Sequence, residues 1–151
     1  MQKITTYLIF NSSGKEAVAF YVSIFKNSEI NSIMVMPGGD QLLHALFTLD
    51  GQEFMAMDGG PHFKFEDGIS LFVTCEDQSE IDYFWEKLGN GGEVMQCGWL
   101  RDKFGVRWQI IPKALGELMS GSDQNRSMRV RDAMLKMKKI DIEGLKQAYE
   151  G

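Results

Sequence analysis

The chain has 151 residues, of which 44% are hydrophobic and 25% charged, and its formal net charge at pH 7 is −5. This length is enough for one domain, or two small fused modules, with a buried core. Mild acidity without a basic stripe argues against nucleic acid as a partner. No apolar run reaches the roughly 20 residues of a membrane span, so no membrane contact is expected. The amino-terminal segment lacks a signal-peptide pattern, which predicts a cytoplasmic protein.

The chain contains an internal repeat with a shift of 64 positions. Thr6–Ile30 aligns with Ser70–Val94 without a gap, so that Thr6 meets Ser70 and Leu8 meets Phe72. Each copy begins with a strand-like run, followed by a polar turn and a helical pattern with apolar residues at three- and four-residue steps. The repeat therefore predicts the same strand and helix twice.

Polar residues mark the start of both predicted helices. Ser12 and Ser13 can cap the first helix. Asp77 can cap the second, and Glu80 follows three residues later, as in a capping box.

Further strands follow each helix. His44–Asp58 has the pattern of a hairpin that turns at Asp50-Gly51, a strong turn dipeptide. With a shift of 54 positions this segment aligns with Gly98–Pro112, and Met55 then meets Gln109. Each copy is thus a strand–helix–strand–strand–strand (βαβββ) module.

The sequence predicts a single α+β domain made of two tandem βαβββ modules, at about residues 3–58 and 69–112, and a helical tail at residues 113–151. Duplication of this kind usually produces halves that share one core or cavity. A second short tail helix is predicted after Asp141, and the tail should pack against the sheet or a second subunit. The apolar stripe of the first tail helix consists of Val130, Ala133, Met134 and Met137.

Cysteine and histidine offer few catalytic or metal-binding patterns. Cys75 and Cys97 lack metal-type spacing and are expected to be reduced structural thiols. His44 is a candidate general base, because imidazole exchanges protons near neutral pH.

An alternative metal site is conceivable around His44, with His62, Glu53 and Asp58. However, Glu53 and Asp58 are separated by an odd number of positions, so a regular strand would direct them to opposite faces. Histidines in such settings are more often structural, and no metal site is predicted here.

Two long segments resemble sequences of a known protein family: GGPHFKFEDGISLFVTCEDQSEIDYFWEKL at residues 59–88 and GGEVMQCGWLRDKFGVRWQIIP at residues 91–112. With the paired modules, they resemble the vicinal oxygen chelate superfamily, which includes glyoxalase I, bleomycin-resistance and extradiol dioxygenase proteins. Within it they resemble the PhnB-like family, often labelled 3-demethylubiquinone-9 3-methyltransferase-like. The resemblance runs from about Ile4 to Tyr149 and implies curved sheets around a shared cavity. With the apolar tail, it also implies a homodimer.

In glyoxalase-like enzymes a divalent metal sits where the modules meet, held by one first-strand and one last-strand residue of each. The resemblance places the first-strand positions at Thr6 and Ser70. RDKFGVRWQ matches the family's Arg-Asp-x-x-Gly-x-x-x-Glu run, which places Gln109 where the family has Glu. Repeat symmetry adds Met55. Two hydroxyls, a thioether and a neutral amide are poor ligands for a divalent ion, so neither a metal nor another cofactor is expected.

Two hypotheses for function follow. In the first, the protein binds a small organic molecule in the cavity. In the second, it is an enzyme of isomerase, lyase or transferase type acting on a small metabolite, with His44 as base. Methyl transfer is not expected, because no glycine-rich loop follows a strand and opens a helix. The predicted pocket residues are Thr6, Met55, Ser70, Phe72, Trp99 and Gln109.

Overall fold

The computed structural model describes residues 2–151. Contacts between Cα atoms divide the chain into two units, residues 1–64 and 65–151. Each unit contains one four-stranded sheet. The order of elements confirms the predicted α+β class, with two tandem βαβββ patterns and a helical tail.

The first unit has the sheet order β1-β4-β3-β2, in which β1 is parallel to β4 and the other pairs are antiparallel. The predicted hairpin is confirmed, since Asp50 and Gly51 both have positive φ angles (48° and 80°), as a two-residue hairpin turn requires. Its elements are β1 (Thr6–Phe10), α1 (Gly14–Ile24), β2 (Glu29–Val35), β3 (Leu42–Leu49) and β4 (Gln52–Asp58).

The two faces of the first sheet differ in burial. One face packs against α1 and includes Leu8, Phe47 and Ala56, all buried. The other face, called here the first open face, carries the alternate residues of the same strands and is partly exposed. Its residues include Tyr7, His44, Met55 and Met57.

The second unit repeats the pattern with the sheet order β5-β8-β7-β6, in which β5 is parallel to β8. Three helices follow the sheet, one more than the sequence predicted. The elements are β5 (Leu71–Cys75), α2 (Gln78–Gly89), β6 (Glu93–Val94), β7 (Trp99–Arg101), β8 (Arg107–Pro112), α3 (Lys113–Met119), α4 (Gln124–Leu135) and α5 (Ile142–Glu150).

The tail packs onto the second sheet through a small apolar core. Ile111 of β8 joins Val130 of α4, Leu145 of α5 and Ile140 between them, and all four are buried. Met134 and Met137 pack around this core, as the predicted stripe requires. Packing against the sheet, one of the two predicted roles of the tail, is therefore observed.

The helix starts confirm one predicted cap and correct the other. Asp77 caps α2, because its Oδ1 accepts a hydrogen bond from the backbone N–H of Glu80 at 2.9 Å. Ser13 occupies the N-cap position of α1, but its side chain makes no capping hydrogen bond. The acceptor at this helix start is Asp58, at the end of β4, whose Oδ1 lies 2.8 Å from the N–H of Gly14.

Asp58 connects three elements of the first unit. Only 3% exposed, its carboxylate also accepts a hydrogen bond from the N–H of Leu42 through Oδ2 at 2.9 Å. Gly14 makes this close approach feasible, because a Cβ at that position would lie 2.7 Å from Asp58 Oδ1. The carboxylate thus holds the start of α1 and the start of β3 against the end of β4.

Replacing Asp58 by alanine should lower the free energy of unfolding by about 2–4 kcal/mol, because two buried N–H groups lose a charged acceptor. Urea denaturation measures the change. Asp40→Ala is the matched control: its side chain is 93% exposed, 3.7 Å from Lys15, and its loss should cost less than about 0.5 kcal/mol. Equal effects of the two substitutions would contradict this role of Asp58.

Candidate functional site

Gln109 lies at the centre of a cross-strand row in the second sheet. The strand register places Phe72 of β5 on one side of it and Trp99 of β7 on the other. Residues paired in this way project from the same face of a sheet. Gln109 Nε2 donates a hydrogen bond to Ser70 Oγ at 2.8 Å. Four of the six predicted pocket residues therefore lie together, on what is called here the second open face.

The neighbours of Gln109 on β8 point the opposite way. Trp108 is 2% exposed and Ile110 is fully buried, on the side covered by α2. Trp108 Nε1 donates a hydrogen bond to Asp102 Oδ2 at 2.8 Å, which satisfies the indole inside the core. Since alternate strand residues face opposite sides, the amide of Gln109 is directed away from the helix. Phe72 beside it is 57% exposed.

The second open face is bounded at both ends of β8. Ile111, two residues after Gln109, is covered by the tail helices. Arg107, two residues before it, donates through Nε to Asp67 Oδ1 at 2.7 Å and through Nη1 to the carbonyl of Phe65 at 3.0 Å. The tail and the segment before β5 thus leave the Gln109 row between them.

A groove of about 610 Å³ borders Trp99 in the same unit. Its volume lies within the roughly 300–1,000 Å³ of small-molecule sites, and the groove is largely open to solvent. Its walls combine apolar, polar and charged groups: Asp67, Glu93, Val94, Met95, Gln96, Cys97, Trp99 and Lys138.

In the first unit, the sheet separates two residues that were predicted to line one pocket. Met55 pairs with Tyr7, whereas Thr6 pairs with Phe54, which is buried on the side of α1. Thr6 and Met55 therefore project from opposite faces. Tyr7, the next residue along β1, is the one that lies beside Met55.

The repeat alignment misplaced the first strand because the turn between the first strand and the helix differs in length between the two modules. Three residues, 11–13, connect β1 to α1, but only two, 76 and 77, connect β5 to α2. A shift of 64 therefore aligns the helices, whereas the strands need 65, which matches Phe10 with Cys75, the buried last residue of each first strand. With this shift Tyr7 corresponds to Phe72, and Thr5 to Ser70.

His44 lies on the first open face and has a partner that the sequence did not indicate. The hydroxyl of Tyr7 is 3.1 Å from His44 Nδ1, and the two ring centroids are 6.0 Å apart. The alternation of side chains along β1 would have placed Tyr7 on the same face as His44, but only if the strand register had been known. The catalytic role of His44 stays a prediction.

The structure does not assemble the alternative metal site around His44. Both carboxylate oxygens of Asp58 already accept buried backbone N–H groups. His62 is exposed in the segment between the two sheets. Within residues 2–151, no group of three or more His, Cys, Asp or Glu side chains is placed to hold an ion.

The two cysteines are free and differ in environment. Cys75 is fully buried, and this burial, followed by the negative charges of Glu80 and Asp77, raises the pKa of its thiol to about 12. Cys97 is half-buried and lines the groove beside Trp99. The predicted structural role fits Cys75.

Comparisons with known proteins agree with this architecture. The chain shares its fold with FosX, the fosfomycin resistance protein from Listeria monocytogenes (TM-score 0.58, 17% identity, 77% of this chain and 94% of FosX covered). A family model described as 3-demethylubiquinone-9 3-methyltransferase matches residues 2–111, and the chain belongs to that family, the PhnB-like family.

Two further solved structures are similar. A PhnB protein from Bacillus cereus, described as a putative 3-demethylubiquinone-9 3-methyltransferase, is 41% identical, with a TM-score of 0.70, 74% of this chain and 99% of that chain covered. Protein PA1353 from Pseudomonas aeruginosa is 25% identical, with a TM-score of 0.60 and coverage of 74% and 98%. A search of curated proteins found no match. Among residues 2–151, no helix is both long and apolar enough to cross a bilayer.

The thiol environments predict a difference in reactivity. With a pKa of about 12, only about one Cys75 thiol in ten thousand is ionised at pH 8, and the thiolate is the reactive form. In the native protein, 5,5′-dithiobis(2-nitrobenzoate) at pH 8 should therefore titrate one thiol, Cys97, and in guanidinium it should titrate both. Cys97→Ser should leave almost no native reactivity. Rapid native labelling of that variant would contradict the raised pKa.

Proposed function

We propose that this PhnB-like protein binds a small organic molecule on the second open face, without the divalent metal that its superfamily usually holds. The observation that carries the proposal is the row Phe72–Gln109–Trp99, in which the central amide is hydrogen-bonded to Ser70. The groove beside Trp99 supports it by providing space.

The row combines the two kinds of contact that a small-molecule site needs. Phe72 and Trp99 offer apolar ring surface on either side of Gln109. Gln109 uses one N–H for Ser70, so its carbonyl oxygen and second N–H can bond a ligand. We infer a ligand with a flat apolar part and an adjacent hydrogen-bonding group, which the amide orients.

The chemistry of the row argues against a hard divalent cation. A FosX structure of this fold contains Mn(II). In the present chain, the positions that the family resemblance assigns to metal ligands include Ser70 and Gln109, which are uncharged. Neutral oxygens compensate poorly for the water that a divalent ion loses, whereas they suit an organic ligand.

The proposal also includes three expectations from the sequence. Met55, on the first open face, contacts a ligand, and the protein is cytoplasmic and forms a homodimer. The free state of Cys75 and Cys97 fits a reducing compartment. Exposed Ile30 and Ile33 on the edge strand β2 supply apolar surface that a second copy could cover.

A metabolite library screened by thermal shift tests the binding proposal. At 100 times its Kd, a ligand adds about 2.7 kcal/mol of stability, which corresponds to a rise in Tm of about 5–10 °C. Gln109→Leu should weaken the binding of such a ligand at least about tenfold, because the orienting amide is lost. Gln147→Leu, an exposed substitution on α5, is the control and should leave the affinity unchanged. A library without a binder, or a binder indifferent to Gln109, would overturn the proposal.

Metal analysis tests the proposal that the protein holds no divalent metal. Gently purified protein should contain no more than about a tenth of an ion of manganese, nickel or zinc per chain. Gln109→Glu restores the carboxylate of the family motif and should raise the affinity for Mn(II), measured by isothermal titration calorimetry. Stoichiometric manganese, nickel or zinc in the unmodified protein would contradict a metal-free site.

A further inference from the structure

Three soft donor groups lie in one cross-strand row on the first open face. The β2–β3 register pairs Met34 with His44. The paired part of β3 and β4 ends at Ala45 and Ala56, and extending the same register by one residue places Met57 opposite His44. His44 is therefore flanked by a methionine on each neighbouring strand, and all three side chains project from the same face.

The spacing of the strands allows the three side chains to meet at one ion. Neighbouring strands are about 4.7–4.9 Å apart, and methionine side chains are long and flexible enough to bring sulphur atoms to a common point above the central residue. Met34 is 61% exposed, while His44 and Met57 are half-buried. An ion from solvent can reach the row from the side of β2, the edge strand.

Tyr7 is hydrogen-bonded to one ring nitrogen of His44. Its hydroxyl oxygen lies 3.1 Å from His44 Nδ1. In the tautomer with the proton on Nδ1, this N–H donates to the tyrosine oxygen and the lone pair of Nε2 stays available. A hydrogen bond from the second ring nitrogen is the usual means by which proteins orient a metal-binding histidine.

We propose that Met34, His44 and Met57 bind a soft monovalent cation, Cu(I), through two thioether sulphurs and the imidazole Nε2. Thioethers select Cu(I), whereas hard divalent ions require charged oxygen ligands, of which this row has none. The site uses none of the positions that the family resemblance assigns to metal ligands. None of its three ligands belongs to the row Phe72–Gln109–Trp99 that is proposed to hold the organic molecule.

Competition with the chelator bicinchoninate, under anaerobic conditions, measures the Cu(I) affinity of the full-length chain. Cys97→Ser is the background, since a half-buried thiol would also bind Cu(I). One Cu(I) should bind per chain. Met34→Leu and Met57→Leu, which preserve side-chain volume, should each lower the affinity at least about tenfold. Met128→Leu, at a methionine that is 51% exposed on α4, is the matched control and should have no effect.

Methyl NMR of the Cys97→Ser protein, labelled with ¹³C at its methionine methyl groups, provides a second measurement that does not depend on the stability of the methionine variants. Cu(I) should shift the signals of Met34 and Met57 and leave that of Met128 in place. Tyr7→Phe should lower the affinity about 10- to 100-fold without changing the stoichiometry, since the ring is no longer oriented. Unchanged affinity in Met34→Leu, shifts confined to other methionines, or equally tight binding of Zn(II) would overturn the proposal.

Discussion

The register of the two sheets is the constraint on which every functional statement about this protein depends. A strand directs successive side chains to opposite faces, so a displacement of one residue transfers a side chain from the open face to the helix-covered core. In the second sheet, the register places Gln109 between Phe72 and Trp99. In the first sheet, it places Met34 beside His44 and moves Thr6 away from Met55. The set of side chains available to a ligand on either open face is thus determined by the backbone pairing of the strands.

Each sheet is anchored by a buried carboxylate, which keeps the register in place. Asp58 accepts two backbone N–H groups where α1 and β3 begin. Asp102 accepts the N–H groups of Phe104 and Val106 in the turn before β8, and also the indole N–H of Trp108. Such charged hydrogen bonds would be costly to leave unsatisfied in a core, which makes these positions structural. The open faces carry different donor groups: an amide and a hydroxyl between aromatic rings in one sheet, and an imidazole between thioethers in the other.

Local patterns predicted the elements of the fold, because the forces that form them act over a few residues. Asp50-Gly51 identified the hairpin, Asp77 the start of α2, and Asp141 the start of α5. The same approach failed at Ser13, because the acceptor for the N–H of Gly14 at that helix start comes from Asp58, 44 residues beyond Gly14. The repeat alignment also did not show that Thr6 and Met55 project from opposite faces. The turns after β1 and β5 differ in length by one residue, and the similar residue types on both sides of each turn conceal this difference. Tyr7 was overlooked for the same reason.

The sequence by itself determined the α+β class, the tandem βαβββ order and the family resemblance, since each depends on periodicity or on a continuous motif. Only the tertiary structure decided that Tyr7, Met34, His44 and Met57 share a face in the first unit, and that Gln109 bonds Ser70 between Phe72 and Trp99 in the second. These groups come from strands that are distant in the chain. Hydrogen bonding between those strands brings them together, and no local pattern reports the register of that pairing.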